Sequence, residues 1–153
     1  MSKIDDRLAE LGLVLPEVAA PVAAYVPAVI SGNLVFTSGQ LPFVGGVLPA
    51  TGKVGADVSA DAAKDLARTC ALNGLAAAAS VIGSLDRVTR VVKVVGFVSS
   101  DPSFAGQSGV INGASELLGE IFGEAGKHAR SAVGVAALPL NSPVEVELVL
   151  EFA

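Results

Sequence analysis

The chain has 153 residues, enough for one domain with a hydrophobic core of its own. Apolar residues make up 52% of it and charged residues only 16%, too few to cover a monomer, so we expect subunit interfaces to hide part of the surface. The formal net charge is −5 and the Lys and Arg residues are scattered singly, which argues against nucleic-acid binding by phosphate neutralisation.

The scarcity of Cys and His limits the kinds of site that the chain can build. One Cys (Cys70) allows no intramolecular disulfide, and with a single His (His128) a zinc site is not expected. A lone thiol is typical of a reducing compartment. The acidic N-terminus is not a signal peptide, and no apolar run is long enough for a transmembrane helix. We therefore expect a cytoplasmic protein without a membrane partner.

Hydrophobic periodicity and turn residues predict helices and strands along the whole chain. Apolar residues three and four positions apart indicate helices, alternation indicates strands, and Gly, Pro and Asn mark the turns. A Gly/Pro-rich excursion at 43–51 has room for one more short strand. The predicted elements are a helix at Ile4–Leu13, strands at Ala24–Ile30 and Leu34–Ser38, a helix from Ser59 to Gly83, a strand at Val88–Val98, a helix from about Ile111 to Gly123, and strands at Arg130–Ala137 and Val144–Phe152.

The order ββ(β)–α–β–α–β–β predicts an α+β fold in which two helices cover one face of a mixed sheet. No internal repeat or linker divides the chain. The sequence therefore predicts a single domain at 1–153, with residues 1–20 as an N-terminal helical extension.

Most catalytic signatures are absent from the sequence. There is no dinucleotide-binding or phosphate-binding glycine motif, no zinc-hydrolase motif and no nucleophile elbow, so no cofactor and no metal are predicted. A Ser-His-Asp triad would have to use His128, which we interpret as a solvent-facing loop residue. Cys70 lies within a predicted helix, where a buried packing thiol is the favoured interpretation.

Arg130 opens a strand otherwise made of small residues. It is either an interface ion-pair partner of Glu145 or Glu147, or a planar fork that binds the carboxylate of a ligand. Small neighbours such as Ala132 leave room for that ligand. Glu145 and Glu147 likewise form a solvated strand face or supply a general base toward water.

The distance between Arg130 and Glu145 depends on how the last two strands pair. If they pair directly around the Leu138–Pro143 loop, Ala136 faces Glu145 and Arg130 lies roughly 20 Å from Glu145. In that case the two residues cannot hold one ligand within one chain. A joint site would need Glu145 from a neighbouring subunit.

Three segments resemble the Rid family, also called YjgF-like proteins. The first runs from Tyr25 through Gly32-Asn33 to Thr37-Ser38-Gly39-Gln40-Leu41-Pro42, which is similar to the family's "GN…TSGQ.P" signature. The second is the helix–strand region from Cys70 to Val98. The third runs from Ala129-Arg130-Ser131 to Leu138-Pro139 and on to Val144-Glu145-Val146-Glu147, similar to "ARS…V..LP……EIE". A longer segment at 104–127 indicates a separate, longer subgroup.

The resemblance implies a chorismate-mutase-like fold and a homotrimer with three clefts between subunits. It also implies hydrolysis of 2-imino or 2-enamino acids to 2-oxo acids and ammonia, without a cofactor. The partner would be a small carboxylate-bearing metabolite. The residues implied are Arg130 for the carboxylate, Glu145 for the hydrolytic water, and Tyr25, Ser38, Gly39, Asn112 and Ala132 for substrate binding.

Two other functions stay open at this stage. One is a non-enzymatic trimer that binds small carboxylates or hydrophobic metabolites in the same cleft. The other is a ribonuclease, an activity attributed to some relatives, against which the acidic charge and the lone His count.

Overall fold

The computed structural model describes residues 2–18, 20 and 23–153. It has three α-helices and five strands, joined by loops and three short 3-10 turns. The helices and strands are α1 (Lys3–Glu10), β1 (Ala28–Ser31), β2 (Leu34–Thr37), α2 (Ala60–Ile82), β3 (Val88–Ser99), α3 (Gln107–Phe122), β4 (Ala129–Val135) and β5 (Val144–Phe152). The segment 43–51, where one more short strand was predicted as possible, forms only an isolated β-bridge between Val44 and Val47.

The strands form one mixed sheet in the order β1-β2-β5-β3-β4, in which only β3 and β4 are parallel. Direct pairing of the last two strands is therefore wrong, because β5 lies between β2 and β3 while β4 occupies an edge. The side chains explain this order. Every second residue of β5 from Val144 to Leu150 is fully buried, as a central strand requires, whereas β4 has small side chains. The helix α3 supplies the crossover that two parallel neighbours need.

The helices α2 and α3 pack on one face of the sheet, which confirms the predicted layers. The hydroxyl of Ser59 accepts a hydrogen bond from the backbone of Ala62 (3.1 Å), and Gly83 ends α2 with a φ of 88°. α3 begins at Gln107, four residues before the predicted start. The core between the layers consists of buried aliphatic side chains such as Leu75 and Leu148.

The N-terminal helix is shorter than predicted and lies against the rest of the domain. It ends at Glu10, and Ser2 caps its start through the backbone of Asp5. The backbone N–H groups of Lys3 and Ile4 donate to the Asp86 carboxylate (3.0 and 2.8 Å). The bond from Ile4 is the main cause that lowers the pKa of Asp86 below its ordinary value. These contacts fix α1 beside the loop that precedes β3.

The opposite face of the sheet carries no helix in the part of the chain that the structure describes. Large apolar side chains lie exposed on it, with Val29 at 50%, Phe36 at 39% and Val133 at 44% of their full exposure. Glu145 and Glu147 share this face. An open sheet face with apolar side chains is typical of a subunit interface.

Replacing Gly113 with alanine should destabilise the fold by about 1–3 kcal/mol, because a Cβ there would overlap the Lys64 carbonyl where α3 crosses α2. Gly119 on the same helix has open space around it. Gly119→Ala should therefore stabilise by about 0.5–1 kcal/mol through helix propensity. Urea unfolding of both variants measures the contrast, and equal effects would contradict the close helix approach.

Candidate functional site

A cavity of about 410 Å³ opens beside the start of β5, and we call it the Glu145 cavity. Its volume lies in the range of small-molecule sites, and a mostly apolar lining with a few polar groups is typical of them. The predicted site residues Tyr25, Gly39 and Glu145 all contribute to it. Its apolar wall comes from Tyr25, Pro27, Leu41, Phe43, Pro139 and Leu140.

Hydrogen bonds from three elements hold the walls of the Glu145 cavity. The side-chain amide of Asn73 on α2 donates to the carbonyls of Leu41 and Phe43 (3.0 and 3.1 Å). Gln40 pairs through its backbone with Val146 next to Glu145. The hydroxyl of Ser38 donates to the carbonyl of Val26 (2.6 Å), so this side chain fixes the segment that carries Tyr25.

The loop between β4 and β5 brings Leu140 to the Glu145 cavity in a strained conformation. Leu140 and Asn141 have φ values of 57° and 58°, the only positive values outside glycine among the described residues. The Asn141 carbonyl accepts a hydrogen bond from the backbone of Gly52 (2.9 Å). Asparagine tolerates this backbone, but at Leu140 it costs about 1–3 kcal/mol, so it persists only where its surroundings hold it, and such strain clusters at functional sites.

Glu145 is half-buried and lines its cavity, and its carboxylate forms no hydrogen bond with the described residues. Its carboxylate lies directly over Gly39, where any Cβ would overlap it. Burial, and to a lesser degree the charge of Glu147, raise the pKa of Glu145 above its ordinary value. A carboxylate with a raised pKa and unused oxygens can take a proton from a nearby water.

Replacing Glu145 with glutamine should stabilise the protein near neutral pH. A carboxyl whose pKa is higher in the folded state binds more protons there, so its presence lowers stability as pH rises above the unfolded value of about 4.3. The gain from Glu145→Gln should therefore be present at about pH 7, shrink as pH falls through the raised pKa of the folded state, and be gone below about pH 4. Urea unfolding at equal protein concentration measures it.

Glu151→Gln is the matched control, because Glu151 lies on the same strand and face but is hydrogen-bonded to Thr89 (2.8 Å). A Glu145→Gln protein less stable than wild type at both pH values would contradict the burial effect.

Arg130 belongs to a second group of predicted site residues, on the helix-covered side of the edge strand β4. Its Nη1 donates to Asn112 Oδ1 (2.8 Å) and Ser115 Oγ (3.2 Å), and its Nη2 donates to the Ser108 carbonyl (3.4 Å). All three partners lie along one face of α3, and we call these four residues the Arg130 cluster. Within one chain Arg130 lies on the opposite sheet face from Glu145 and Glu147, so the interpretation as an interface ion-pair partner stays a prediction about contacts between subunits.

The interpretation of His128 as a solvent-facing residue is wrong. Its ring is half-buried, with Nε2 at 2.9 Å from Ser115 Oγ and Nδ1 at 2.6 Å from the Gly126 carbonyl. The 3-10 turn after α3 brings the ring back onto the helix. His128 is therefore joined to the Arg130 cluster through Ser115.

The two clusters do not meet within one chain. Arg130 is level with Val94 of β3, and Val94 is level with Leu148 of β5, so Arg130 shares their buried face. Glu145 lies on the opposite face, two strands and three residues away, which is roughly 14 Å between Cα atoms. Ala132 is level with Gly96 on the face of Arg130. The predicted site residues therefore fall into two groups. One group lies at β4 and α3 and consists of Arg130, Asn112 and Ala132. The other lies at the Glu145 cavity and consists of Tyr25, Gly39 and Glu145, with Ser38 supporting the segment that carries Tyr25.

Other candidate chemistry is not used by either cluster. Cys70 is fully buried, which confirms the packing interpretation, and burial raises the pKa of its thiol well above the ordinary value. Among the described residues, no three His, Cys, Asp or Glu side chains converge as metal ligands would. Within the same residues, no helix has the length and apolar character needed to cross a membrane.

Comparison with known proteins identifies the family. The family model "YjgF/chorismate mutase-like, putative endoribonuclease" matches residues 5–152. The chain belongs to this YjgF-like family. Protein TCP17 of Trypanosoma cruzi is 47% identical over 150 residues, which cover 97% of this chain and 94% of that protein.

Two solved structures agree with the fold over almost its full length. Atu1372 from Agrobacterium tumefaciens, a protein described as of unknown function, superimposes with a TM-score of 0.92 at 47% identity, over 98% of this chain and 92% of its own. A "putative endoribonuclease" from Shewanella oneidensis MR-1 gives 0.95 at 36% identity, over 99% and 100%. The predicted chorismate-mutase-like α+β fold is therefore confirmed.

The YjgF-like signatures fall on both clusters. The segment from Gly32 to Pro42 forms the β1–β2 turn, β2 and one wall of the Glu145 cavity, the segment from Ala129 forms β4, and Val144–Glu147 opens β5. The prediction from sequence missed Ser115, His128 and Leu140. Ser115 could have been predicted from the sequence, because it lies three residues after Asn112 on the same helix face.

Proposed function

We propose that this protein hydrolyses 2-imino or 2-enamino acids to 2-oxo acids and ammonia. The observation that carries the proposal is the separation of the two clusters. Arg130 offers unused N–H donors for a carboxylate, Glu145 offers an unused carboxylate for a water, and the two point to opposite faces of the sheet. Each cluster supplies what the other lacks for this reaction.

A homotrimer would join the two clusters in three clefts. Closed rotational symmetry repeats one contact around the ring, so the Arg130 cluster of one subunit can meet the Glu145 cavity of the next. The exposed apolar side chains on the open sheet face, Val29, Phe36 and Val133, support such an assembly. The low charged fraction of 16% supports it as well. We also place the protein in the cytoplasm, where a lone thiol stays reduced.

The chemistry needs only orientation and proton transfer. Arg130 holds the carboxylate of the substrate by charge-assisted hydrogen bonds, and the remaining substrate carbons contact the apolar wall formed by Tyr25, Phe43 and Leu140. Glu145 takes a proton from water as the water oxygen bonds to the carbon of the protonated imine, which gives a carbinolamine. Glu145 returns that proton to the nitrogen and then accepts the hydroxyl proton as the carbon–nitrogen bond breaks and the carbonyl forms. This last proton leaves with ammonia as ammonium.

A coupled assay tests the proposal. An amino-acid oxidase with catalase generates the imino acid in solution, and semicarbazide traps whatever imine remains. We expect the protein to lower semicarbazone formation in proportion to its concentration and to speed ammonia release equally. Unchanged rates at protein concentrations that bind pyruvate would leave non-enzymatic carboxylate binding as the function.

A further inference from the structure

Ser115 occupies the middle of a hydrogen-bond chain that ends at Arg130. Its hydroxyl is 3.2 Å from Arg130 Nη1 on one side and 2.9 Å from His128 Nε2 on the other. The second ring nitrogen of His128, Nδ1, is 2.6 Å from the Gly126 carbonyl. Neither Ser115 nor His128 belongs to the residues that the family resemblance implies for the site.

The direction of each hydrogen bond follows from the chemistry of the groups. A carbonyl only accepts, so Nδ1 of His128 carries a hydrogen and donates to Gly126. In the neutral ring Nε2 then accepts from the Ser115 hydroxyl. The lone pairs of Ser115 are left for Arg130, which only donates. In this series of hydrogen bonds from Gly126 to Arg130, each hydrogen is therefore donated once and each acceptor receives a donor.

The far end of this chain is rigid. Gly126 is buried and packs so closely on the Leu118 carbonyl that a Cβ would overlap it. Because Gly126 packs this closely on α3, its carbonyl sets the height of the His128 ring along the helix. The Ser115 hydroxyl, and with it Arg130 Nη1, are held in turn.

This arrangement determines which edge of the guanidinium remains available. Of its five N–H donors, two on Nη1 are engaged by Asn112 and Ser115, and one on Nη2 contacts Ser108 at the long distance of 3.4 Å. The other two donors, Nε–H and one Nη2–H, have no partner among the described residues. A guanidinium edge of this kind matches both oxygens of a carboxylate.

We propose that Ser115 and His128 are positioning residues that hold Arg130 so that its Nε/Nη2 edge, and not its Nη1 end, binds the ligand carboxylate. The proposal rests on the assignment of Arg130 as carboxylate anchor in the proposed function. It assigns no contact with the substrate to either residue.

Binding of pyruvate, together with steady-state kinetics, tests the positioning role. Ser115→Ala should weaken pyruvate binding and raise KM about tenfold, the effect of one hydrogen bond to a charged group, while kcat changes less than about twofold. Ser115→Thr keeps the hydroxyl and should restore binding. The matched control is Ser80→Ala, which removes the hydroxyl of a helical serine on α2. Equal weakening by alanine and threonine, or none by alanine, would overturn the proposal.

Nitrogen NMR of the imidazole tests the hydrogen bonds from His128 through Ser115 to Arg130 in the free protein. The signal is assigned without ambiguity because His128 is the only histidine in the sequence. Ser115→Ala and Arg130→Gln should each move the Nε2 resonance of His128 in the free protein, and Ser80→Ala should not. A resonance unchanged by Arg130→Gln would overturn the proposal. If these shifts occur but no imine is hydrolysed, the positioning role stands and the proposed activity fails.

Discussion

Replacing Arg130 with alanine should lower kcat/KM for an imino acid by about 100-fold to 10,000-fold. The variant loses two charge-assisted hydrogen bonds to the substrate carboxylate, each worth about 1.5–3 kcal/mol, and about 1.4 kcal/mol corresponds to a factor of ten. Pyruvate binding should fall by a similar factor, because the carboxylate is bound in the ground state as well as the transition state. Calorimetry and the coupled imine assay measure the two effects.

Arg68→Ala is the matched control for the Arg130 variant. Arg68 lies on α2 and forms a surface ion pair with Glu120 (2.9 Å), so its loss should cost at most about 1 kcal/mol of stability and no activity. Arg130→Lys should recover only part of the binding, because an ammonium lacks the planar fork. Full activity of the Arg130→Ala variant would show that Arg130 does not bind the substrate carboxylate.

Replacing Glu145 with glutamine should lower kcat by about 100-fold to 10,000-fold and leave pyruvate binding close to wild type. The amide keeps the size of the side chain over Gly39 but cannot take a proton from water, which is the usual contribution of a general base. This separation of kcat from binding distinguishes the role of Glu145 from that of Arg130. Rapid-quench or steady-state ammonia release, with calorimetry alongside, measures it.

Glu151→Gln provides the comparison on the same face of β5, outside the residues that line the Glu145 cavity. It should keep wild-type kcat. Loss of activity to the same degree in both variants would point to the general charge of this face, and not to a base at Glu145.

Local features of the fold were accessible from the sequence because they depend on neighbouring residues. The alternation from Val144 to Phe152 predicted β5, and Ser59 and Gly83 marked the ends of α2. The strand order was not accessible in this way. Pairing of β5 with β2 and β3 joins residues more than forty positions apart, and a period of two is the same whichever neighbour a strand has.

The candidate site likewise has residues that the sequence predicts and residues that only the folded structure reveals. Arg130 and Glu145 stood out because a charge among small or apolar residues is visible in the sequence. The contact of His128 with Ser115 was not visible, because only the 3-10 turn after α3 brings the ring back onto that helix. Leu140 was missed for another reason: its left-handed backbone is imposed by the surrounding loop, which no propensity of leucine predicts.

In the proposed trimer, each active cleft takes Arg130 from one subunit and Glu145 from the next. Trimers reassembled from equal amounts of Arg130→Ala and Glu145→Gln chains test it directly. Only clefts that pair an intact Arg130 with an intact Glu145 are active, so random mixing should give about a quarter of the wild-type ammonia-release rate, although each variant alone is nearly inactive. A mixed preparation no more active than the separate variants would contradict the shared cleft.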